Sequence, residues 1–277
     1  MPDRKEVEEA VRRALDEDMP DITSEAIFDK SDRGTAGFVM KAEGILAGLD
    51  FAEATFRCIE REAKFTRRLN DGDAVKPGDI VAEVSASVIT LLSGERTALN
   101  FMQRASGIAT ATRRYVDAIR GTKAKIYDTR KTAPGLRLLD KYAVQAGGGE
   151  NHRYGLHDMF LIKNNHIDRA GSLRAAVERV RAAGASRKIM VEVRDEKELD
   201  EALALSPDFI MLDNMSPERM RAAVQKTAGR VPLEASGGIT LDNVRAAAET
   251  GVDRISIGAI THSVIALDIS MRIRAVS

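Results

Sequence analysis

Residues 188–214 read KIMVEVRDEKELDEALALSPDFIMLDN: a strand-like run from Lys188 to Val193, a helix-compatible segment, and a second strand-like run from Asp208 to Leu212. The alternation continues in both directions. Apolar runs at Ala124 to Tyr127, Met159 to Ile162, Val231 to Ala235 and Arg254 to Ile257 are each followed by a segment that can form a helix. Strands separated by helices of about 10 to 15 residues run parallel, because each crossover carries the chain back to start the next strand in the same direction. Six such units without a dinucleotide-binding glycine fingerprint favour a parallel α/β barrel over a doubly wound sheet.

In a parallel barrel all strand C-termini share one rim, where such barrels keep their active sites. The residues that follow each strand are therefore candidates. In chain order they are Asp128-Thr129-Arg130-Lys131, Lys163-Asn164-Asn165-His166, Glu192 with Arg194, Asp213-Asn214, Ser236-Gly237-Gly238 and Gly258-Ala259. Ser236, Gly237 and Gly238, expected to lead into a helix, have the form of a phosphate cradle, with Gly258 at the next strand end. Arg130, Lys131, His152, Arg153 and Lys163 supply cations for a dianion. Glu192 and Asp213, amid that positive charge, suit a divalent metal, ribose hydroxyls, or ion pairs with Lys131 and Lys163; Mg²⁺ with substrate phosphates is the usual use of one or two carboxylates. His166 and His262 are expected to orient backbone at loop starts. His152, His157, His166 and His262 have no zinc-site spacing.

The first third has a different texture. Apolar positions Val7, Ala10, Val11, Ala14 and Leu15 predict an amphipathic helix over 4–17. Short β-type runs at 35–41, 45–49, 64–69 and 80–84, with a helix near 51–62 and breaks at Gly44, Asp71-Gly72 and Pro77-Gly78, read as a small α+β sheet domain. A long helix from about Leu91, with Ser93 as its expected cap, then joins the two halves.

Composition limits the function classes. Lys plus Arg number 42 and Asp plus Glu number 42, so no net field draws nucleic acid or anionic membrane. Aromatics are 4% with no Trp, leaving few platforms for base stacking. The lone Cys58 allows no internal disulfide and fits packing better than nucleophilic duty, which points to the cytoplasm. The charged start lacks the form of a signal peptide, and no apolar run reaches the length of a membrane span.

Ordered motifs carry a resemblance. Glu95-Arg96-Thr97-Ala98-Leu99-Asn100, Ser106-Gly107-Ile108-Ala109-Thr110, Asp128 through Arg137, Gly147-Gly148-Gly149-Glu150-Asn151-His152-Arg153, Leu161-Ile162-Lys163, Leu212-Asp213-Asn214, Glu234 through Gly238 and Gly258 through Ser263 together resemble the quinolinate phosphoribosyltransferase family. The match runs from about Glu17 to Asp268. It implies an N-terminal α+β open-faced sandwich over 1–105 and an incomplete parallel α/β barrel over 106–265; whether the tail, 266–277, packs back on the first domain the sequence leaves open. It also implies a homodimer, or a higher assembly, with active sites shared between subunits. The reaction implied joins quinolinate and phosphoribosyl pyrophosphate to give nicotinate mononucleotide, pyrophosphate and CO₂, with Mg²⁺, in NAD biosynthesis. Position by position, Arg130, His152, Arg153 and Lys163 would hold the dicarboxylate, with Arg96 entering from the other subunit. Lys131 would meet pyrophosphate, Glu192 and Asp213 the ribose or metal, and Ser236, Gly237, Gly238 and Gly258 the 5′-phosphate.

The chain departs from the family pattern at three places. Met190 replaces the first acid of a family acid-x-acid strand, so a former partner of that acid must pair otherwise. Asn164 stands where an acid is common, and Gln145 where a base is. Two other readings are a molybdenum-transport-associated paralogue of the same fold and a non-catalytic phosphosugar-binding protein; retention of Arg96, His152, Arg153, Lys163, Lys131, Glu192 and Asp213 disfavours both.

Overall fold

A computed structural model describes residues 3–184 and 186–275; positions 1–2 of the first expected domain and 276–277 of the tail lie outside the described residues. The chain divides into two compact units that interleave in sequence. The first runs from the N-terminal helix to Arg113 and adds Thr132–Gly148 and the stretch from Ile260 onward; the second comprises Arg114–Lys131 and Gly149–Ala259. The boundary expected between 105 and 106 thus falls inside a helix whose first part belongs to the first unit.

In chain order the first unit begins α1 (Arg4–Leu15), α2 (Ile22–Ile27), β1 (Arg33–Met40), β2 (Gly44–Ile45), α3 (Leu49–Ile59), β3 (Lys64–Arg67), β4 (Ala74–Val75), β5 (Ile80–Ser87) and α4 (Val88–Ala118). Alternation buries Gly34, Ala36, Phe38 and Met40 of β1, so one sheet face makes a core. Phe38 meets Phe56 of α3 edge-on, with ring centroids 6.1 Å apart. The four-stranded sheet has the order β12-β1-β5-β3, where β12 (Ile269–Ala275) pairs antiparallel with β1.

The expected cap of α4 is displaced. The helix starts at Val88, and Ser87 Oγ accepts the Thr90 N–H at 3.1 Å. Ser93 lies one turn inside, buried, with its hydroxyl donating to Asp21 Oδ2 at 3.0 Å. The reason is that Val88, Ile89, Leu91 and Leu92 continue the chain as helix directly out of β5.

The remaining elements are β6 (Lys125–Tyr127), α5 (Arg137–Ala146), β7 (Phe160–Ile162), α6 (Asn164–Ala170), α7 (Leu173–Ala182), β8 (Ile189–Val193), α8 (Glu196–Leu205), β9 (Phe209–Asp213), α9 (Pro217–Thr227), β10 (Leu233–Ser236), α10 (Val244–Ala248), β11 (Arg254–Ser256) and α11 (Ala259–His262). Of these, α5 and α11 from Ile260 on belong to the first unit, as does β12. The six strands of the second unit form one parallel sheet in the order β6-β11-β10-β9-β8-β7. The sheet is an incomplete barrel: β6 and β7, consecutive in sequence, occupy its two edges. Residue Glu150 runs beside the outer edge of β6, exchanging backbone hydrogen bonds with Asp128 (3.1 Å) and Ile126 (2.8 Å).

Helices in this unit start where side chains satisfy their free N–H groups. Ser172, Asp195 and Ser216 accept from Ala175, Glu198 and Arg219. Every side chain of β8 is buried, as expected of a strand covered on both faces. Met190 is fully buried with Phe209 and Met211, and Met159 and Leu161 pack against them. An apolar cluster therefore fills the place of the missing acid. The nearby cation Arg254 is held on aromatic faces, 3.9 Å from the Phe209 ring centroid and 4.8 Å from that of Tyr127. Among the described residues no helix is long and apolar enough to cross a membrane.

Candidate active site

Parallel pairing sets the C-terminal strand ends side by side. Read along the sheet from β7, they present Lys163, Glu192, Asp213, Ser236-Gly237-Gly238, Gly258, and then Arg130 and Lys131 beyond β6. Asp213 and Ser236 are direct register partners, and Glu192 is the partner of Met211, two residues before Asp213. All the expected site residues except Arg96 belong to the second unit. Arg96 is exposed on α4 in the first.

Lys163 precedes α6, and its backbone N–H is received by His166 Nδ1 at 2.9 Å. His166 thus orients backbone, as expected. His262 Nδ1 and Ser263 Oγ lie 2.8 Å apart. The Asn164 N–H reaches Glu192 Oε1 at a long 3.4 Å. Burial raises the Glu192 carboxyl pKa; that N–H opposes the shift, the charge of Asp213 adds to it, and Lys163 and His166 oppose it. The acid is thus only 9% exposed and in electrostatic reach of a second carboxylate and a lysine.

Ser236-Gly237-Gly238 forms its cradle without the expected helix directly behind it. The next helix, α10, begins only at Val244 and spans five residues. Gly237 (φ +90°) and Gly238 (φ +63°) are successive left-handed residues, a backbone that glycine adopts freely. At Gly237 a Cβ would sit 2.3 Å from Asn214 Oδ1. Asn214, itself left-handed at φ +51°, donates its amide N–H to Asp213 Oδ1 (3.0 Å) and its backbone N–H to Ser236 O (2.8 Å). It ties a carboxylate to the cradle, a role the motif Leu212-Asp213-Asn214 did not disclose.

On the β6 side, Arg130 and Arg153 lie in electrostatic contact. Burial lowers the Arg153 pKa, and the Arg130 charge lowers it further, so an anion placed between them is favoured. Arg130 Nε is buried without a hydrogen-bond partner. Arg153 Nη1 donates to Met159 O at 3.0 Å, and Asp158 accepts the N–H groups of Tyr154 and Gly155, fixing the turn that follows. The His152 ring is 6% exposed and points inward: Nδ1 accepts the Arg153 N–H at 2.8 Å, and Nε2 lies 3.4 Å from Glu234 Oε1. The His152 N–H is taken by the fully buried Asp128 at 2.8 Å. Glu234 was passed over as a site residue, although an acid inside an otherwise apolar parallel strand is itself a signal; Asp128, among the strand-end candidates, was given no role of its own there.

No group of three or more His, Cys, Asp or Glu is arranged to hold a metal ion among the described residues. Glu192 and Asp213 alone suit a hard cation that keeps most of its water and draws its other oxygens from a phosphorylated substrate.

Comparison with known proteins adds the following. The profile described as "Quinolinate phosphoribosyl transferase, N-terminal domain" matches residues 21–106, and that of the C-terminal domain matches 108–272. The chain is 46% identical over 252 residues to the probable nicotinate-nucleotide pyrophosphorylase (carboxylating) of Bacillus subtilis, covering 91% of this chain and 87% of that protein. It is 44% identical over 273 residues to the nicotinate-nucleotide pyrophosphorylase (carboxylating) of Mycobacterium leprae, covering 95% of each. The solved structure of the nicotinate-nucleotide pyrophosphorylase from Francisella tularensis superposes with a TM-score of 0.94 at 40% identity, covering 99% of this chain and 98% of that one.

Proposed function

This chain belongs to the quinolinate phosphoribosyltransferase family, and we propose that it transfers phosphoribose from phosphoribosyl pyrophosphate to quinolinate with loss of CO₂. The observation that carries the reading is the row of strand ends, where two carboxylates, a glycine cradle and a cluster of cations follow one another on adjacent parallel strands.

Each part has a task that its chemistry suits. Two neighbouring ring carboxylates call for fixed cations, which Arg130, Arg153 and Lys163 supply, the arginines in bidentate form. The left-handed Gly237-Gly238 backbone receives the 5′-phosphate, with Ser236 and Gly258 at its sides. Lys131 meets the departing pyrophosphate. As the C–O bond to pyrophosphate breaks and the pyridine nitrogen bonds to the anomeric carbon, positive charge develops on the ribose, and the carboxylates of Glu192 and Asp213 stabilise it. The ring is then a pyridinium. When the carboxylate beside the nitrogen leaves as CO₂, the electron pair stays on that carbon next to N⁺ until a proton from water replaces it. The protein's work at that stage is to hold the ring and limit water. Mg²⁺, if held by Glu192 and Asp213 together with substrate oxygens, would supply charge neutralisation on the diphosphate.

The exposed Arg96 supports a homodimer in which this residue serves the partner's site, and the lone Cys58 agrees with a cytoplasmic setting. Purified protein with phosphoribosyl pyrophosphate, with and without Mg²⁺, is to be given quinolinate and nicotinate in parallel. Mononucleotide and CO₂ from quinolinate alone, and only with Mg²⁺, is the expected result; no product from either would end the transferase reading. For sharing, inactive Arg96→Ala subunits mixed with subunits inactivated at Lys163 should regain activity. Mixed dimers without recovery would count against it.

A further inference from the structure

Glu234 lies on β10 with 0% of its surface exposed, and no hydrogen bond reaches either carboxylate oxygen. A buried carboxylate is costly unless paired. Within ion-pair distance of it, among the described residues, stands His152 Nε2, 3.4 Å from Oε1. The His152 ring settles its own tautomer: Nδ1 accepts the backbone N–H of Arg153 at 2.8 Å, so Nδ1 carries no hydrogen and the ring proton is on Nε2, facing Glu234. Asp128 Oδ1 takes the His152 backbone N–H at 2.8 Å, which fixes the other side of the same residue.

We propose that Glu234 is a positioning residue: it holds His152 in the Nε2–H tautomer, and His152 in turn pins the backbone from which Arg153 reaches the dicarboxylate. His152 then acts on Arg153 through Nδ1, which accepts the Arg153 N–H, while Nε2 faces Glu234 at 3.4 Å. Arg153 shows what needs pinning. Its guanidinium is half-buried beside Arg130, and like charges that close separate unless the backbone of one is fixed. Without the acceptor on Glu234 the ring proton is free to move to Nδ1, where it would face the Arg153 N–H donor to donor and break that bond.

The tautomer can be read directly from imidazole ¹⁵N resonances of histidine-labelled protein, assigned by loss of one set in His152→Ala. The wild type should show a protonated Nε2 and a bare Nδ1, and Glu234→Leu should shift the ring toward Nδ1–H. This arm does not depend on the proposed reaction; the kinetic arm rests on it. Glu234→Leu should raise the KM for quinolinate about tenfold, the scale of one weakened polar contact holding Arg153 in place, with the KM for phosphoribosyl pyrophosphate unmoved. Glu234→Gln, whose amide oxygen still accepts, should recover most of that loss, and adding Glu234→Leu to His152→Ala should cost nothing more. An Nδ1–H ring in the wild type overturns the proposal even if the leucine variant fails to fold. So does a Glu234→Leu ring that keeps its tautomer, or an effect falling equally on both substrates.

Discussion

At the scale of single residues, Glu192 sets activity and stability against each other. Its carboxyl pKa lies above the ordinary 4.5 because the group is buried and shares its site with Asp213, with the Asn164 N–H, Lys163 and His166 only partly compensating. A folded-state pKa above the unfolded one means that the ionised form is penalised in the fold. No penalty exists below pH 4.5, where both states are protonated, and it grows as pH rises through the raised folded value. Glu192→Gln should therefore melt higher than the wild type near neutral pH, with the gap closing as pH falls toward 4.5. Turnover should move the other way. If the ionised acid stabilises positive charge on the ribose, the variant should lose roughly 10²-fold in kcat, and the wild-type acid limb should lie above the ordinary glutamate range and vanish in the variant. Thermal unfolding at two pH values beside pH–rate profiles checks both halves, and a variant no more stable at neutral pH would refute the burial argument. Glu192 was legible in the sequence because it lies next to the C-terminal end of a strand. Glu234 was not: an acid inside a strand can face the helical layer or the barrel interior, and only the register with Met211 and Arg254 decides which.

At the scale of elements, what could be read was what periodicity writes. Six parallel strands stand within a residue or two of their expected places, because a covered strand is a short apolar run, and helices follow them, the one after Gly238 starting later than expected. Junctions made by residues distant in sequence were not legible. The start of α4 is the example: Ser87 caps it, and Glu60, from the end of α3, completes it by accepting from Ser87 N–H and Thr90 Oγ1 at 2.9 Å each and from Arg33 Nη1 at 2.7 Å. Nothing in the run 87–93 points to residue 60. Burial alone would raise the Glu60 pKa, but these donors outweigh it and bring it down to about 2. With the folded value depressed, the stabilisation is complete above the unfolded 4.5 and is lost as pH falls from there toward about 2. Glu60→Gln should cost on the order of 2 kcal/mol near neutral pH, less than full linkage because the group is partly solvated. Denaturant midpoints followed from neutral pH to acid should converge for the two proteins, and parallel curves would show that charge is not what holds this junction.

At the scale of the whole molecule, the order of elements in the sequence conceals that the first unit is completed by its last strand. The register Gly34↔Ala275 through Met40↔Ile269 joins residues more than two hundred positions apart, and no local pattern announces a pairing of that range. The returning chain is fitted closely to α4. A Cβ on Gly107 would lie 2.2 Å from Ile265 O, and Gly44 has comparable contacts with Thr110 and Leu267, which accounts for two of the glycines in this unit on grounds of packing alone. Gln103 then fixes the tail by donating to Ile269 O at 2.9 Å and accepting the Leu267 N–H at 3.0 Å. Leu267, Ile269 and Met271 are buried in the core with Phe38, Met40 and Leu46. At about 1.5–3 kcal/mol for each buried side chain, their loss amounts to roughly 6 kcal/mol, which is comparable with the entire stability of an ordinary domain. It would also bare the edge of β1, leaving seven residues of unpaired strand beside an exposed core. A chain ended after Ile265 should therefore accumulate as aggregate even though every expected site residue is still present, and what remains soluble should lack the wild-type cooperative melt. Circular dichroism and sedimentation of the shortened chain test this. A soluble protein melting within a few degrees of the full chain would mean that β1 and β5 hold their sheet without β12, and that the tail's pairing follows folding instead of completing it.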